Sequence, residues 1–223
     1  MKFFLDKANL EEIRQAVAWG LCDGVTTNPT LVVKEGREHK AQILEITKMV
    51  KGPISVETVT NDADEMVRQG IEYATWAPNV VIKVPMTPHG LQACRRLRER
   101  GIPVNVTLTF SANQALLASK AGATFVSPFV GRLDDIGHDG MQVVRDAVQI
   151  VRTYGFETQV LASSLRHPLH VTAAALCGAH VATMPFKVLE QLFKHTLTDV
   201  GQERFLADAA KLQAELEKHK ARV

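Results

Sequence analysis

The chain has 223 residues, with 26 lysines and arginines against 24 aspartates and glutamates, so its formal net charge is +2 with the histidines neutral; 46% of it is hydrophobic and 22% charged. That apolar content excludes a disordered chain, and near-balanced charge leaves no electrostatic footprint for nucleic acid. Charges interrupt every apolar run short of the ~18 residues that a membrane span needs, so no membrane association is expected.

From the N-terminus, an apolar strand at Lys2–Leu5 runs into Asp6, an acid met too early for a signal peptide. An amphipathic segment, Asn9–Trp19, follows it. Strands are then predicted at Gly24–Thr27, Ile54–Val59, Val80–Pro85, Pro103–Thr109, Thr124–Val130, Thr158–Ser163 and Ala179–Met184. Most are apolar on both faces, as parallel strands covered by helices are. Between them lie helical patterns at His39–Val50, Asp62–Thr75, Thr87–Arg100 and Ser111–Ala121, with Gly101 and Gly122 as stops. Asp134, Asp135, His138 and Asp139 resemble a metal cluster but read better as caps of a helix after Gly140, and His167-x-x-His170 reads as structural.

Eight strand–helix units favour a single (β/α)8 barrel over an open doubly wound sheet, which expects a glycine-rich turn after its first strand; here Asp6-Lys7-Ala8-Asn9 stands instead. No linker breaks the chain, so residues 1–223 read as one domain. A further C-terminal helix at about 202–219 carries Phe205, Ala209, Leu212 and Leu216 on a stripe that must bury against its own barrel or a neighbouring subunit. The basic end, residues 218–222, reads as a solvated helix terminus. Cys22, Cys94 and Cys177 form no Cys-x-x-Cys and read as reduced thiols of a cytoplasmic protein.

In such a barrel, inward side chains recur every second position and chemistry gathers at the C-terminal ends of the strands. Polar residues in otherwise apolar strands are therefore the informative ones: Asp6, Thr26, Asn28, Glu57, Lys83, Asn105, Thr107 and Ser127, with Phe129 on the face of Ser127 and Ser164 and Arg166 after strand seven. Lys83, set in Val80-Val81-Ile82-Lys83-Val84-Pro85, carries the most weight. One reading is a stem that snorkels to the rim, its ammonium paired with Glu57 or Asp6. The other is a Schiff-base nucleophile, since apolar walls disfavour an ammonium and favour the free amine that attacks carbonyls. Asp6 and Glu57 would then serve the acid and base steps of imine chemistry, with Thr107 holding a water beside Glu57 if strands three to five are neighbours. Arg132, Ser164 and Arg166 suit a phosphate, although Arg132 has Asp134 and Asp135 as rival partners. No His-Glu-x-x-His, Gly-x-Ser-x-Gly or phosphate-loop pattern appears.

The chain resembles the short transaldolase family, which also contains the fructose 6-phosphate aldolases. The resemblance rests on Phe4-Leu5-Asp6, Gly24-Val25-Thr26-Thr27-Asn28-Pro29-Thr30, Ile82-Lys83-Val84-Pro85-Met86-Thr87 and Asn105-Val106-Thr107-Leu108, then Ser127 through Asp135, Ala162 through Arg166 and Thr183-Met184-Pro185. It implies a (β/α)8 barrel in which Lys83 forms the Schiff base and Asp6 transfers the proton of carbon–carbon cleavage. Glu57 and Thr107 would position the catalytic water, Asn28, Asn105 and Ser127 would bind dihydroxyacetone hydroxyls, and Arg132, Ser164 and Arg166 would hold phosphate. It further implies no metal or organic cofactor, sugar-phosphate substrates, and homo-oligomeric rings of five or ten subunits with exchanged C-terminal helices. The aldolases of the family tend to have Gln, Ala and Tyr where this chain has Glu57, Ser127 and Phe129, so transaldolase is the closer match. Lys7 departs from the family's usual Thr or Ser. An aldolase and a non-catalytic sugar-phosphate-binding barrel are the alternatives.

Overall fold

Eight parallel strands pair in chain order and the eighth closes on the first. A computed structural model describes residues 1–34, 36 and 38–220; the last two residues of the predicted basic end, 221 and 222, lie outside them. The elements follow one another as β1 (Lys2–Asp6), α1 (Leu10–Ala18), β2 (Gly24–Thr26), α2 (Pro29–Lys34), α3 (His39–Met49), β3 (Ile54–Glu57), α4 (Ala63–Ala74), β4 (Val80–Pro85) and α5 (Pro88–Arg98). They continue with β5 (Val104–Thr109), α6 (Ala112–Lys120), β6 (Phe125–Pro128), α7 (Val130–Asp134), α8 (Gly140–Tyr154), β7 (Gln159–Ala162), α9 (Pro168–Cys177), β8 (Val181–Met184), α10 (Phe186–Gln191) and α11 (Thr196–Lys220). The architecture is the (β/α)8 barrel read from the sequence.

Local chemistry explains the helix starts. Asn9 accepts the N–H groups of Glu11 and Glu12, Asp62 that of Glu65, Thr87 that of Gly90 and Ser111 that of Gln114. Each of these is the residue at which a helix was predicted to begin, because a short oxygen-bearing side chain satisfies donors that the first turn leaves unpaired. At the other end of α8, Gly155 takes the left-handed cap conformation at φ +62°.

Inside the barrel, Phe4, Val81, Phe125, Leu161 and Val181 form a buried cluster drawn from five strands. Phe4 and Phe125 meet edge to face with ring centroids 6.0 Å apart. Two positions beyond each cluster member stands Asp6, Lys83, Ser127, Ser163 or Thr183. Strand alternation thus sets a polar layer directly above an apolar plug.

Three short helices, α2, α7 and α10, have too few residues for a legible period and were not anticipated. Residues Met1–Leu189 form one compact unit and Glu190–Val223 a second. The second contains α11, which starts at Thr196, ahead of the predicted residue 202. None of its residues is buried, and the predicted stripe of Phe205, Ala209, Leu212 and Leu216 is exposed.

Candidate active site

A cavity of about 460 Å³ opens among the ends of the strands, and Lys83 is in its wall. Lys83 sits on β4 with Glu57 of β3 as its register partner on one side and Asn105 of β5 on the other. It is only 6% exposed. Its Nζ lies 3.0 Å from Glu57 Oε2 and donates to the carbonyl of Thr27 at 3.2 Å. The Glu57 pairing considered as an alternative is therefore present, but with the amine in the barrel wall rather than extended to the rim. The nearly buried Lys83 is thus held by two acceptors, one of them its counter-charge, whose loss would leave it uncompensated.

Thr107, the register partner of Pro85, also lines the cavity. Its hydroxyl is buried and makes no hydrogen bond within the protein. Strands β3, β4 and β5 are neighbours, as a water held by Glu57 and Thr107 requires.

Asp6 ends β1 and lines the same cavity. Thr26, from β2, donates its hydroxyl proton to Asp6 Oδ1 at 3.0 Å, and Thr26 Oγ1 lies 2.7 Å from Thr183 Oγ1 of β8. Lys7 points to Glu12, with 3.2 Å between charged atoms, so the departure at position 7 makes an ion pair outside this group.

Asn28 and Ser127 line the cavity, but Asn105 does not. Asn105 is fully buried, its amide donating to Ser55 Oγ at 3.1 Å while its carbonyl oxygen accepts from Ser127 Oγ at 2.6 Å. It stands at the level of Phe125, its partner on β6, and reaches the cavity only through Ser127.

Arg132, Ser164 and Phe129 also line the cavity. The guanidinium of Arg132 lies 4.8 Å above the ring of Phe129, instead of pairing with Asp134 or Asp135. Asp135 is taken by Arg166 at 3.0 Å, and Asp134 by His170 at 2.9 Å and the Gly140 N–H at 2.9 Å. Arg166 is not in the cavity wall, because its stem crosses Gly131 on the way to Asp135. Asp139 caps α8 by accepting the Gln142 N–H, so the cap reading holds for Asp139 and for Asp134, which accepts from Gly140, but not for Asp135, which pairs with Arg166. His170 also accepts the Arg166 N–H on Nδ1, so it is a structural link; burial, ahead of the neighbouring His167, lowers its pKa.

Two residues other than glycine adopt positive φ among those described, Leu108 and Ser164, each at φ 59°. Both line the cavity, and such conformations persist where surrounding structure imposes them. Leu108 falls where the β5–β6 register shifts between Val106 and Thr109.

Leu108, Ser163 and Thr183 line the cavity but were not singled out as site residues. Thr183 was within reach of the criterion used elsewhere, since it is the polar interruption in Val181-Ala182-Thr183-Met184. The left-handed turns at Leu108 and Ser164 leave no signal in residue type.

The sequence matches the family described as Transaldolase/Fructose-6-phosphate aldolase over residues 3–223. Among curated relatives, a protein of Herpetosiphon aurantiacus is 62% identical over 208 residues, covering 93% of this chain and 94% of the relative. A protein of Aquifex aeolicus is 57% identical over 212 residues, covering 95% and 98%, and one of Moorella thermoacetica 58% identical over 213 residues, covering 96% and 99%. All three are named "Probable transaldolase".

Proposed function

We propose, because the chain belongs to the transaldolase/fructose-6-phosphate aldolase family, that it is a transaldolase. It transfers a dihydroxyacetone unit from sedoheptulose 7-phosphate to glyceraldehyde 3-phosphate, giving erythrose 4-phosphate and fructose 6-phosphate in the non-oxidative pentose phosphate pathway. The observation that carries this reading is the buried amine of Lys83 in a cavity wall, 3.0 Å from the Glu57 carboxylate and facing the same cavity as Asp6.

The chemistry follows from those groups. Glu57 is placed to accept a proton from Lys83, freeing the amine to attack the ketose carbonyl and lose water as an imine. Asp6 takes the proton of the C4 hydroxyl while the C3–C4 bond breaks and its electrons enter the imine, forming an enamine. The aldose phosphate leaves, the enamine attacks the aldehyde carbon of the acceptor, and Asp6 returns the proton to the new hydroxyl. Water held by Glu57 and Thr107 then hydrolyses the product imine. The lysine and the carboxylates supply every step, with no metal or organic cofactor.

Thr26, Asn28 and Ser127 meet the hydroxyls of the dihydroxyacetone unit, with Asn105 orienting Ser127. Phosphate is held by Arg132 and Ser164; Arg166 joins them on leaving Asp135. Phe129 offers no hydroxyl to protonate the enamine, which favours capture by the aldose over release as free dihydroxyacetone.

The three cysteines are unbridged, and burial pushes Cys22 up to about 11 and Cys94 up to about 12, so neither is a nucleophile near neutral pH. Unbridged thiols persist in the cytoplasm, where this reading places the reaction. Among the described residues no helix is long and apolar enough to cross a membrane. Exposed Phe205, Leu206, Leu212 and Leu216 on α11 support a homo-oligomer, pentameric or decameric as the family resemblance implies.

The test is glyceraldehyde 3-phosphate release from fructose 6-phosphate, followed through a coupled NADH assay with and without erythrose 4-phosphate. Release that requires erythrose 4-phosphate establishes transfer. Equal release in both establishes an aldolase, and no release in either supports a binding barrel.

A further inference from the structure

We infer that Thr183 is a positioning residue for the proton transfers of Asp6, acting through Thr26; the inference rests on the transaldolase reading above. The strands on either side of β1 each supply one threonine, Thr26 from β2 and Thr183 from β8. Their hydroxyl oxygens lie 2.7 Å apart, and Thr26 is 3.0 Å from Asp6 Oδ1. Both threonines are buried, and both line the cavity.

Proton counting fixes the direction of this chain. A carboxylate only accepts, so Thr26 spends its single proton on Asp6 Oδ1. The short contact between the threonines must then be donated by Thr183. Its hydroxyl holds the Thr26 proton on Asp6, leaving Oδ2 open to the substrate.

When Asp6 takes the proton of the C4 hydroxyl on Oδ2, its Oδ1 becomes the carbonyl oxygen of a carboxylic acid and still accepts. Thr26 therefore keeps its donation to Oδ1 in both protonation states, and Thr183, 2.7 Å from it, keeps the Thr26 hydroxyl aimed there. One arrangement of the two hydroxyls thus serves both states of Asp6, and Oδ2 alone exchanges the proton with the substrate. A valine at position 183 keeps the shape and removes the donor that fixes Thr26. Imine formation at Lys83, on β4, does not draw on it.

The experiment compares wild type with Thr183→Val and Thr183→Ser, using fructose 6-phosphate and erythrose 4-phosphate. Borohydride is added at early times, and mass spectrometry measures the reduced adduct on Lys83. Thr183→Val is expected to lower kcat about tenfold, the loss of one good hydrogen bond in the transition state, with KM within about twofold. Its adduct should shift from the three-carbon unit towards the uncleaved six-carbon ketose phosphate, and Thr183→Ser should restore both measures.

Wild-type turnover and adduct in Thr183→Val would overturn the positioning role alone. So would a kcat loss without enrichment of the six-carbon adduct, or a serine variant no better than valine. If the valine variant loses its circular dichroism signature, Thr183→Ala takes its place under the same criteria. Absence of any reducible adduct in the wild type would overturn the transaldolase reading and the positioning role with it.

Discussion

Glu57 Oε2 and Lys83 Nζ are 3.0 Å apart because their residues are register partners on adjacent parallel strands, so one pleat turns both side chains to the same side. Neither can be altered without leaving a charge beside a partner that no longer answers it. Lys83→Met should abolish borohydride trapping and lower kcat/KM by on the order of 10⁴-fold or more, as loss of a nucleophile does. Its far-ultraviolet circular dichroism should match wild type, and full activity in this variant would end the mechanism.

Glu57→Gln keeps the shape and a hydrogen-bonding group but removes the base. A decrease in kcat of about 10²-fold or more is expected, with sugar-phosphate affinity little changed. Steady-state kinetics and isothermal calorimetry separate the two effects.

Phe129 has two separable duties. Phe129→Tyr preserves the face under Arg132 and adds a hydroxyl, so cleavage of fructose 6-phosphate without acceptor should rise. Phe129→Leu removes the ring 4.8 Å from the guanidinium. The KM for phosphorylated substrates should then rise about two- to fivefold, the value of a partly exposed cation–π contact. Free dihydroxyacetone, which carries no phosphate, is the control.

Gly131 is the crossing point of the anion end. A Cβ there would come within 2.3 Å of the Ser164 carbonyl oxygen and 2.4 Å of Arg166 Nε. Gly131→Ala should destabilise the fold by about 1–3 kcal/mol, an overpacking cost. It should also raise the KM for sugar phosphates, because Ser164 is displaced. Thermal denaturation and kinetics on the same preparation test both.

Stability should fall on mild acidification. Burial is the first cause lowering the pKa values of His39, His170 and His180 below the usual 6.5. The unfolded chain therefore binds more protons than the folded one as pH drops through 6.5, and the stability held above that value is progressively lost down to the lowered folded pKa values. His170 and His180 each accept a backbone N–H on Nδ1, from Arg166 and Val160, and protonation there removes the acceptor. A Tm that decreases from pH 7 to pH 5 is expected, with a shallower decrease in His180→Gln.

Much of the barrel was legible because its strands are covered on both faces and bounded by caps and glycine stops. Lys83 and Glu57 were legible for a related reason: a charged residue in a buried apolar strand is costly unless it has a partner or a task. The same reasoning did not separate Asn105, closed off beneath Ser127, from residues that face the cavity. Nor did it show that Arg132 rests on Phe129 while Arg166 takes Asp135, since three neighbouring charges permit several pairings and only their positions choose among them.

By itself the sequence determined the order of the eight strands and the longer helices, the (β/α)8 class and the residue types available for imine chemistry, because periodicity, caps and polar interruptions are local properties of the chain. Tertiary structure decided which of those residues meet. Thr26 and Thr183 are 157 positions apart, and their hydroxyls touch only because β8 closes on β1. Closure of a barrel is a property of all eight strands at once, and no single segment carries it.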